Sequence, residues 1–208
     1  MVSMSLKGFL SELSLKKAPG PLPSFSALDL IRLLKLLAEA GSIGRGKISK
    51  IIGLGEGVIR TMLARLAEAG LITISKKGCS LTQKGEALWR SIKEVLPKTV
   101  EVKGAGLGLA PKSVAILVRG RAERVKSGIE QRDAAVSSGA KGAITLVCKD
   151  NKVIIPGVNA DLKRDYPAAF EEIMRLMEPE DGDVIIISSA DTLKEAEYGA
   201  LAAAWSII

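Results

Sequence analysis

Three glycines, at positions 53, 55 and 57, interrupt a stretch that reads as helix on either side. Residues Arg45–Ile52 form the helix before them. After them Ile59, Met62, Leu63 and Leu66 fall at i, i+3, i+4 and i+7, the apolar stripe of a second helix that ends at Gly70. A tight turn between two helices is therefore expected here. Upstream, Ser26 and Asp29 have capping-box spacing and Phe25 and Leu30 the positions of a hydrophobic staple. Leu30, Leu33, Leu34 and Leu37 then repeat at helical spacing until Gly41. Downstream, 71–74 and 79–82 read as two strands joined by Lys76-Lys77-Gly78, whose glycine can take positive φ. Thr82 caps a further helix carrying Ala87, Leu88, Ile92 and Val95, which stops before Pro97.

Three helices, a two-stranded ribbon with a basic tip and a fourth helix, in that order, make a winged helix-turn-helix. An α-helix fits the major groove, and its exposed N-terminal side chains meet base edges there. The face opposite the apolar stripe carries Gly57, Arg60, Thr61, Ala64 and Arg65. Arg60 and Thr61 fall where base contacts would, with Gly57 allowing close approach and Arg65 further along the same expected face. Arg45, Lys47 and Lys50 are available to phosphates, and Lys76 and Lys77 to the backbone or minor groove. Charge agrees with this assignment. Of a formal net charge of +7, residues 1–97 hold 15 Lys/Arg against 7 Asp/Glu, while residues 98–208 hold 15 against 16. Basicity confined to one half points to a nucleic-acid partner, double-stranded DNA.

The run Gly-Arg-Gly-Lys-Ile-Ser-Lys-Ile-Ile-Gly-Leu-Gly-Glu-Gly-Val-Ile-Arg-Thr-Met-Leu-Ala-Arg-Leu at 44–66, with Gly-Leu-Ile at 70–72 and Leu-Thr-Gln-Lys-Gly at 81–85, resembles the DNA-binding half of archaeal winged-helix transcriptional regulators. Its pairing with Gln-Arg-Asp-Ala-Ala-Val-Ser-Ser-Gly-Ala-Lys-Gly-Ala-Ile-Thr-Leu at 131–146 resembles an archaeal regulator family with an uncharacterised C-terminal α+β domain. The resemblance implies a role for the first half only. Asn and Gln total four, at 83, 131, 151 and 159, which with two cysteines hints at a thermophilic source.

The second half is read from its elements. A strand at 114–118, a helix at 123–138, strands at 143–148 and 153–155, a helix at Pro167–Met177, a strand at 184–187 and an Ala-rich helix at 193–205 follow one another. The break at 149–152 is too short for a parallel crossover, so its strands must form an antiparallel hairpin. The expected class is α+β overall, with a C-terminal two-layer α+β sandwich on a largely antiparallel sheet. The expected organisation is an N-terminal arm at 1–23, the winged helix-turn-helix at 24–97, a linker at 98–112 and the α+β domain at 113–208.

Composition limits the chemistry. There is no histidine, and aromatics make up 3% of the chain, so Ser-His and Cys-His nucleophiles, imidazole metal sites and base-stacking faces are excluded. Cys79 and Cys148 are far apart and read as reduced thiols. Gly104-Ala-Gly-Leu-Gly108 lacks the Gly-Lys-Ser/Thr ending of a phosphate loop and reads as linker. The candidates for a ligand site are Arg132 and Asp133 mid-helix, and Ser188, Ser189 and Asp191 at a strand end. Their structural alternatives are an ion pair and a helix cap, Thr192 with Glu195 forming a capping box. Asp161, Asp165, Glu171 and Glu172 read as acids that favour a helix start. No cofactor and no metal are expected. No apolar run reaches the roughly 18 residues of a membrane span, and no signal peptide is read, so a cytoplasmic setting is expected. The whole describes a DNA-binding regulator, not an enzyme, whose second half dimerises the chain, senses a small molecule, or both. A catalytic or metabolite-binding second half, or an RNA-associated winged helix, are the alternatives.

Overall fold

The computed structural model describes residues 5–15, 24–103, 107, 109–150, 152–158 and 160–208. The chain divides into two compact units, Met1–Ile92 and Lys93–Ile208.

The first unit is a winged helix-turn-helix built from α1 (Leu6–Leu15), α2 (Ala27–Ala40), α3 (Arg45–Ile52), α4 (Glu56–Glu68), β1 (Ile72–Ser75), β2 (Gly78–Leu81) and the start of α5 (Gln83–Val95). The capping box at Ser26 and Asp29 starts α2, with both reciprocal bonds formed. Its Leu30, Leu33, Leu34 and Leu37 are buried, as are Ile59, Met62, Leu63 and Leu66 of α4. Burial contributes about 1.5–3 kcal/mol for each such side chain, so these two stripes hold the unit together. β1 and β2 pair antiparallel, Ile72 opposite Leu81. Ile43 adds an antiparallel bridge to Cys79, its N–H donating to the Cys79 carbonyl at 3.1 Å and its own carbonyl accepting from the Cys79 N–H at 2.9 Å. Gly78 sits beside this bridge at φ 127°, and a Cβ there would lie 2.8 Å from the Ile43 carbonyl group. Only glycine meets both demands.

Residues 6–15 differ from the separate arm that the sequence suggested. α1 packs on α2 and α4 and buries Leu10 and Leu13. Leu6, Leu10 and Leu13 are spaced as a helical stripe, too short to be noticed beside the breaker cluster that follows. Residues 16–23, which hold that cluster, lie outside the described residues.

The second unit is an antiparallel six-stranded sheet in the order β3-β4-β8-β5-β6-β7, from β3 (Thr99–Val102), β4 (Lys112–Val118), β5 (Gly142–Lys149), β6 (Lys152–Ile155), β7 (Ala160–Asp161) and β8 (Val184–Ala190). Its helices are α6 (Ile129–Ser137), α7 (Leu162–Asp165), α8 (Pro167–Met177) and α9 (Leu193–Ile207). The α+β class and the β5–β6 hairpin are as expected. The layering is richer than one sheet and one helical layer, because helices cover both faces. Ala115, Leu117, Leu146, Cys148, Ile185 and Ile187 form one core with Leu162, Ala169, Ile173 and Met177 of α7 and α8. The alternate residues of β4 and β8 face α9, which packs on both strands and on α6. Every residue of β8 is accordingly buried, as a strand sandwiched on both faces must be.

Two further expectations are corrected. The linker at 98–112 contains β3, whose Thr-Val-Glu-Val alternation pairs with β4 while the Leu117 N–H donates to the Lys98 carbonyl at 3.0 Å. Most of its glycine run, 104–106 and 108, lies outside the described residues. The helix expected at 123–138 is two pieces, a 3-10 turn at Ala122–Arg124 and α6, because Gly128 at φ 80° interrupts it. β7 and α7 are too short to carry a periodic signal.

Candidate nucleic-acid interface

A cleft of about 480 Å³ opens between the start of α3, the outer face of α4 and the β1–β2 hairpin. Gly44, Arg45, Gly46, Glu56, Arg60 and the hairpin residues 74–79 are among its lining. Arg45, Arg60, Lys76 and Lys77 are exposed there, so four cations converge on one concave surface. Glu56 lies among them and offsets part of their field. Low-dielectric walls around like charges focus the potential on an approaching anion.

The backbone supports the same surface. α3 starts at Gly44 and α4 at Gly55, and neither N-terminus has a side-chain cap. The first N–H groups of each helix are left without intrahelical partners, a ready site for an oxyanion. The hairpin tip is braced. The Lys77 N–H donates to Ser75 Oγ at 3.1 Å, Ser75 Oγ donates to the Gly78 carbonyl at 3.2 Å, and Ser42 Oγ donates to the Lys77 carbonyl at 3.2 Å. At the floor, burial pushes the Cys79 thiol above its usual range while the Arg45 charge pulls it back.

The residues singled out in the sequence divide clearly. Arg45, Arg60, Lys76 and Lys77 share the cleft. Gly57 and Thr61 are exposed on the same helix as Arg60, with Thr61 Oγ1 donating to the Gly57 carbonyl at 3.1 Å. Lys47 and Lys50 are exposed on α3, outside the cleft lining. Arg65 is a correction. It is buried, its Nη1 donates to the Leu13 and Ser14 carbonyls at 3.2 and 2.6 Å, and its guanidinium lies 5.0 Å from the centre of the Phe25 ring. The reason is α1, whose C-terminal carbonyls occupy the space that the helical wheel assigned to solvent. Ile74 was missed. It is 59% exposed and lines the cleft, because β1 projects beyond the core after Ile72, and strand alternation alone cannot show where a core ends.

In the second unit the five proposed ligand residues do not form one site. Arg132 and Asp133 pair with each other at 2.9 Å on the exposed side of α6. Ser188 and Ser189 point to opposite faces of the sheet. Ser188 is packed under α9, while Ser189 Oγ contacts Ser113 Oγ at 2.8 Å and accepts from the Leu109 N–H at 3.2 Å. Asp191 pairs with Lys141 at 3.1 Å, and the start of α9 is closed by the Thr192–Glu195 capping box. Asp161 caps α7, and Asp165 accepts from the Asp161 N–H and from Arg164, whose hydrogen bond holds its carboxyl below the usual range. Glu172 accepts from the Lys103 N–H, while Glu171 is exposed on α8. Among the described residues no group of His, Cys, Asp or Glu could hold a metal ion, and no helix is long and apolar enough to cross a membrane.

Fold and cleft together define a class, a winged helix-turn-helix unit joined to an antiparallel α+β unit. Two family models match within it. One, described as PH0730-like, N-terminal domain, covers residues 28–87, and the other, described as Domain of unknown function (DUF4443), covers residues 109–207. The solved structure of the hypothetical protein PH0730 from Pyrococcus horikoshii OT3 is 32% identical, with a TM-score of 0.71 over 88% of this chain and 93% of that one. The chain belongs to the PH0730 family. No curated protein matches it.

Proposed function

We propose that the chain is a DNA-binding transcriptional regulator, a binding protein rather than an enzyme. The observation that carries this reading is the convergence of Arg45, Arg60, Lys76 and Lys77 on one cleft between α3, α4 and the hairpin. In this reading α4 enters the major groove, Arg60 and Thr61 meet base edges, and the two uncapped helix starts and the wing lysines hold the sugar-phosphate backbone. The second unit dimerises the chain, since one winged helix reads few base pairs and a twofold protein matches a palindromic site. A small-molecule effector has no assembled site among the five residues first considered, so dimerisation is the role we assign.

The test is a titration of labelled random-sequence duplex at several salt concentrations. Each lost phosphate contact lowers the salt slope by about 0.9, so Lys76→Ala with Lys77→Ala should flatten it by nearly two units and weaken binding uniformly. Arg60→Ala should weaken binding and relax base preference at one position, worth about 1–3 kcal/mol. Unchanged affinity in Arg60→Ala combined with Lys76→Ala would refute the assignment. Preference for structured RNA in the same titration would move the chain to the RNA-associated alternative.

A further inference from the structure

We propose that the outer face of α6 is a homodimer interface, on which a second copy of this chain packs its own α6 antiparallel across a twofold axis. The inference rests on the reading of the second unit as the dimerising half and gives that half a surface.

Among the described residues nine large apolar side chains stand exposed, and four of them lie on or beside α6. Ile129 and Val136 are 50% and 47% exposed on the helix itself. Val158, 70% exposed, follows Gly157, whose backbone abuts Ser127 just before α6. Leu193, 38% exposed, opens α9. α9 runs antiparallel to α6, since Gly199 meets Ala135 while Ser206 meets Gln131, so Leu193 lies toward the C-terminal end of α6. Apolar side chains thus flank both ends of one short helix.

Between them stand two opposite charges. Ile129, Arg132, Asp133 and Val136 fall at i, i+3, i+4 and i+7, a single stripe reading apolar, positive, negative, apolar. Reversed, the stripe reads apolar, negative, positive, apolar, which is its own complement. An antiparallel twofold pairing sets Ile129 against Val136 of the second copy and Arg132 against its Asp133. A parallel pairing would set Arg132 against Arg132, so charge selects the antiparallel arrangement. Among the described residues of one chain Arg132 and Asp133 pair with each other, both exposed, and nothing buried has to rearrange for them to pair across the axis. An isologous contact has this property, each residue meeting its complement twice. One nine-residue helix with its neighbours is small beside the roughly 800 Å² per partner of a standard interface, so the dimer should be concentration-dependent.

The experiment is sedimentation equilibrium of the full chain without DNA, over a wide concentration range. The parent should dimerise. Arg132→Asp places like charges across the axis twice and should weaken the dimer at least about tenfold, and Ile129→Glu should do the same. The double exchange Arg132→Asp with Asp133→Arg restores the complementary stripe and should return association to within about threefold of the parent. All of these side chains are exposed, so circular dichroism melts should match the parent. A monomeric parent would leave the face to some other partner and overturn the proposal. So would single variants that associate like the parent, or a double exchange that fails to restore the dimer. The readout involves no nucleic acid, so a chain that dimerises through α6 and binds no DNA would sink the regulator reading alone. A chain that binds DNA as a monomer would sink this one.

Discussion

Arg65→Met separates the structural account from what the helical wheel implies. On the wheel Arg65 stands with Arg60 and Thr61, and its removal should cost DNA affinity and no stability. In the structure Arg65 is buried, with two hydrogen bonds to the Leu13 and Ser14 carbonyls and its guanidinium over Phe25. A hydrogen bond from a charged donor contributes roughly 1.5–3 kcal/mol, and the guanidinium on Phe25 about 1 kcal/mol. Their sum is an upper bound, because α1 can detach and return its carbonyls to water. Detachment would expose Leu10 and Leu13, at about 1.5–3 kcal/mol each. Whichever route is easier, the first unit should lose about 3–5 kcal/mol. Denaturant unfolding followed by the first unit's signal measures the loss, and hydrogen exchange of the α1 amides shows whether α1 leaves first. Arg60→Ala is the matched control, expected to unfold like the parent and to bind duplex weakly. If Arg65→Met unfolds within about 0.5 kcal/mol of the parent, the burial argument is wrong.

Three further outcomes follow from the geometry. Gly78→Ala puts a Cβ 2.8 Å from the Ile43 carbonyl at a φ of 127°, so the wing should lose its bridge at a cost of about 1–3 kcal/mol, seen as lost exchange protection at Ile43 and Cys79. Asp183 accepts from Arg119 Nη1 at 2.6 Å, from the Gly120 N–H at 2.9 Å and from the Glu180 N–H at 2.8 Å. Asp183→Ala strips all three and should destabilise the second unit by about 3–5 kcal/mol in a denaturant titration; a loss below about 1 kcal/mol would contradict the network. Burial, then Asp183 and Asp181, push the Cys148 thiol up to about 12 from an ordinary value of 9.0. Since the folded value is raised, the contribution to stability is complete below pH 9 and is lost as pH climbs toward 12. Native protein at pH 8 should resist thiol alkylation at Cys148, and its alkaline loss of stability should shrink in Cys148→Ala.

The first unit was legible because its signals are local. The Ser26–Asp29 box, the Leu30–Leu37 stripe and the Lys-Lys-Gly turn each specify a structure within a few residues, and all formed where the spacing put them. What escaped depended on distant partners. Ile43 joins the wing through a single bridge to Cys79, α1 finds its place through Arg65, and β3 becomes a strand only because β4 offers it an edge. In the second unit, residues 114–118 and 184–187 read as generic apolar strands. Neither carries the order β4-β8-β5, which sets the last strand of the chain between two earlier ones. The proposed ligand residues failed for a related reason. Ser188 and Ser189 are neighbours in sequence, and a strand sends neighbours to opposite faces.

The helix starts of this chain differ in how much of their backbone they leave open to a ligand. The N-termini of α2 and α9 are closed by reciprocal capping boxes, their polar side chains consumed by backbone N–H groups. Those ends have little left to offer a ligand, which removes the anion site that Ser188, Ser189 and Asp191 suggested. α3 and α4 instead begin at Gly44 and Gly55 with no side-chain cap. Glycine at that position costs only a few tenths of a kcal/mol relative to a capping residue, yet it leaves the first N–H groups available and the approach unobstructed. α6 and α8 also start without a side-chain cap, but the α3 start opens into a basic cleft, where Gly44 and Gly46 line the surface that holds Arg45, Arg60, Lys76 and Lys77. A Gly44→Ser exchange should cap α3 and stabilise the first unit slightly. The same hydroxyl would compete with a phosphate oxygen for those N–H groups, so duplex affinity should fall as stability rises. A variant that gained both would refute the role given to the open helix start.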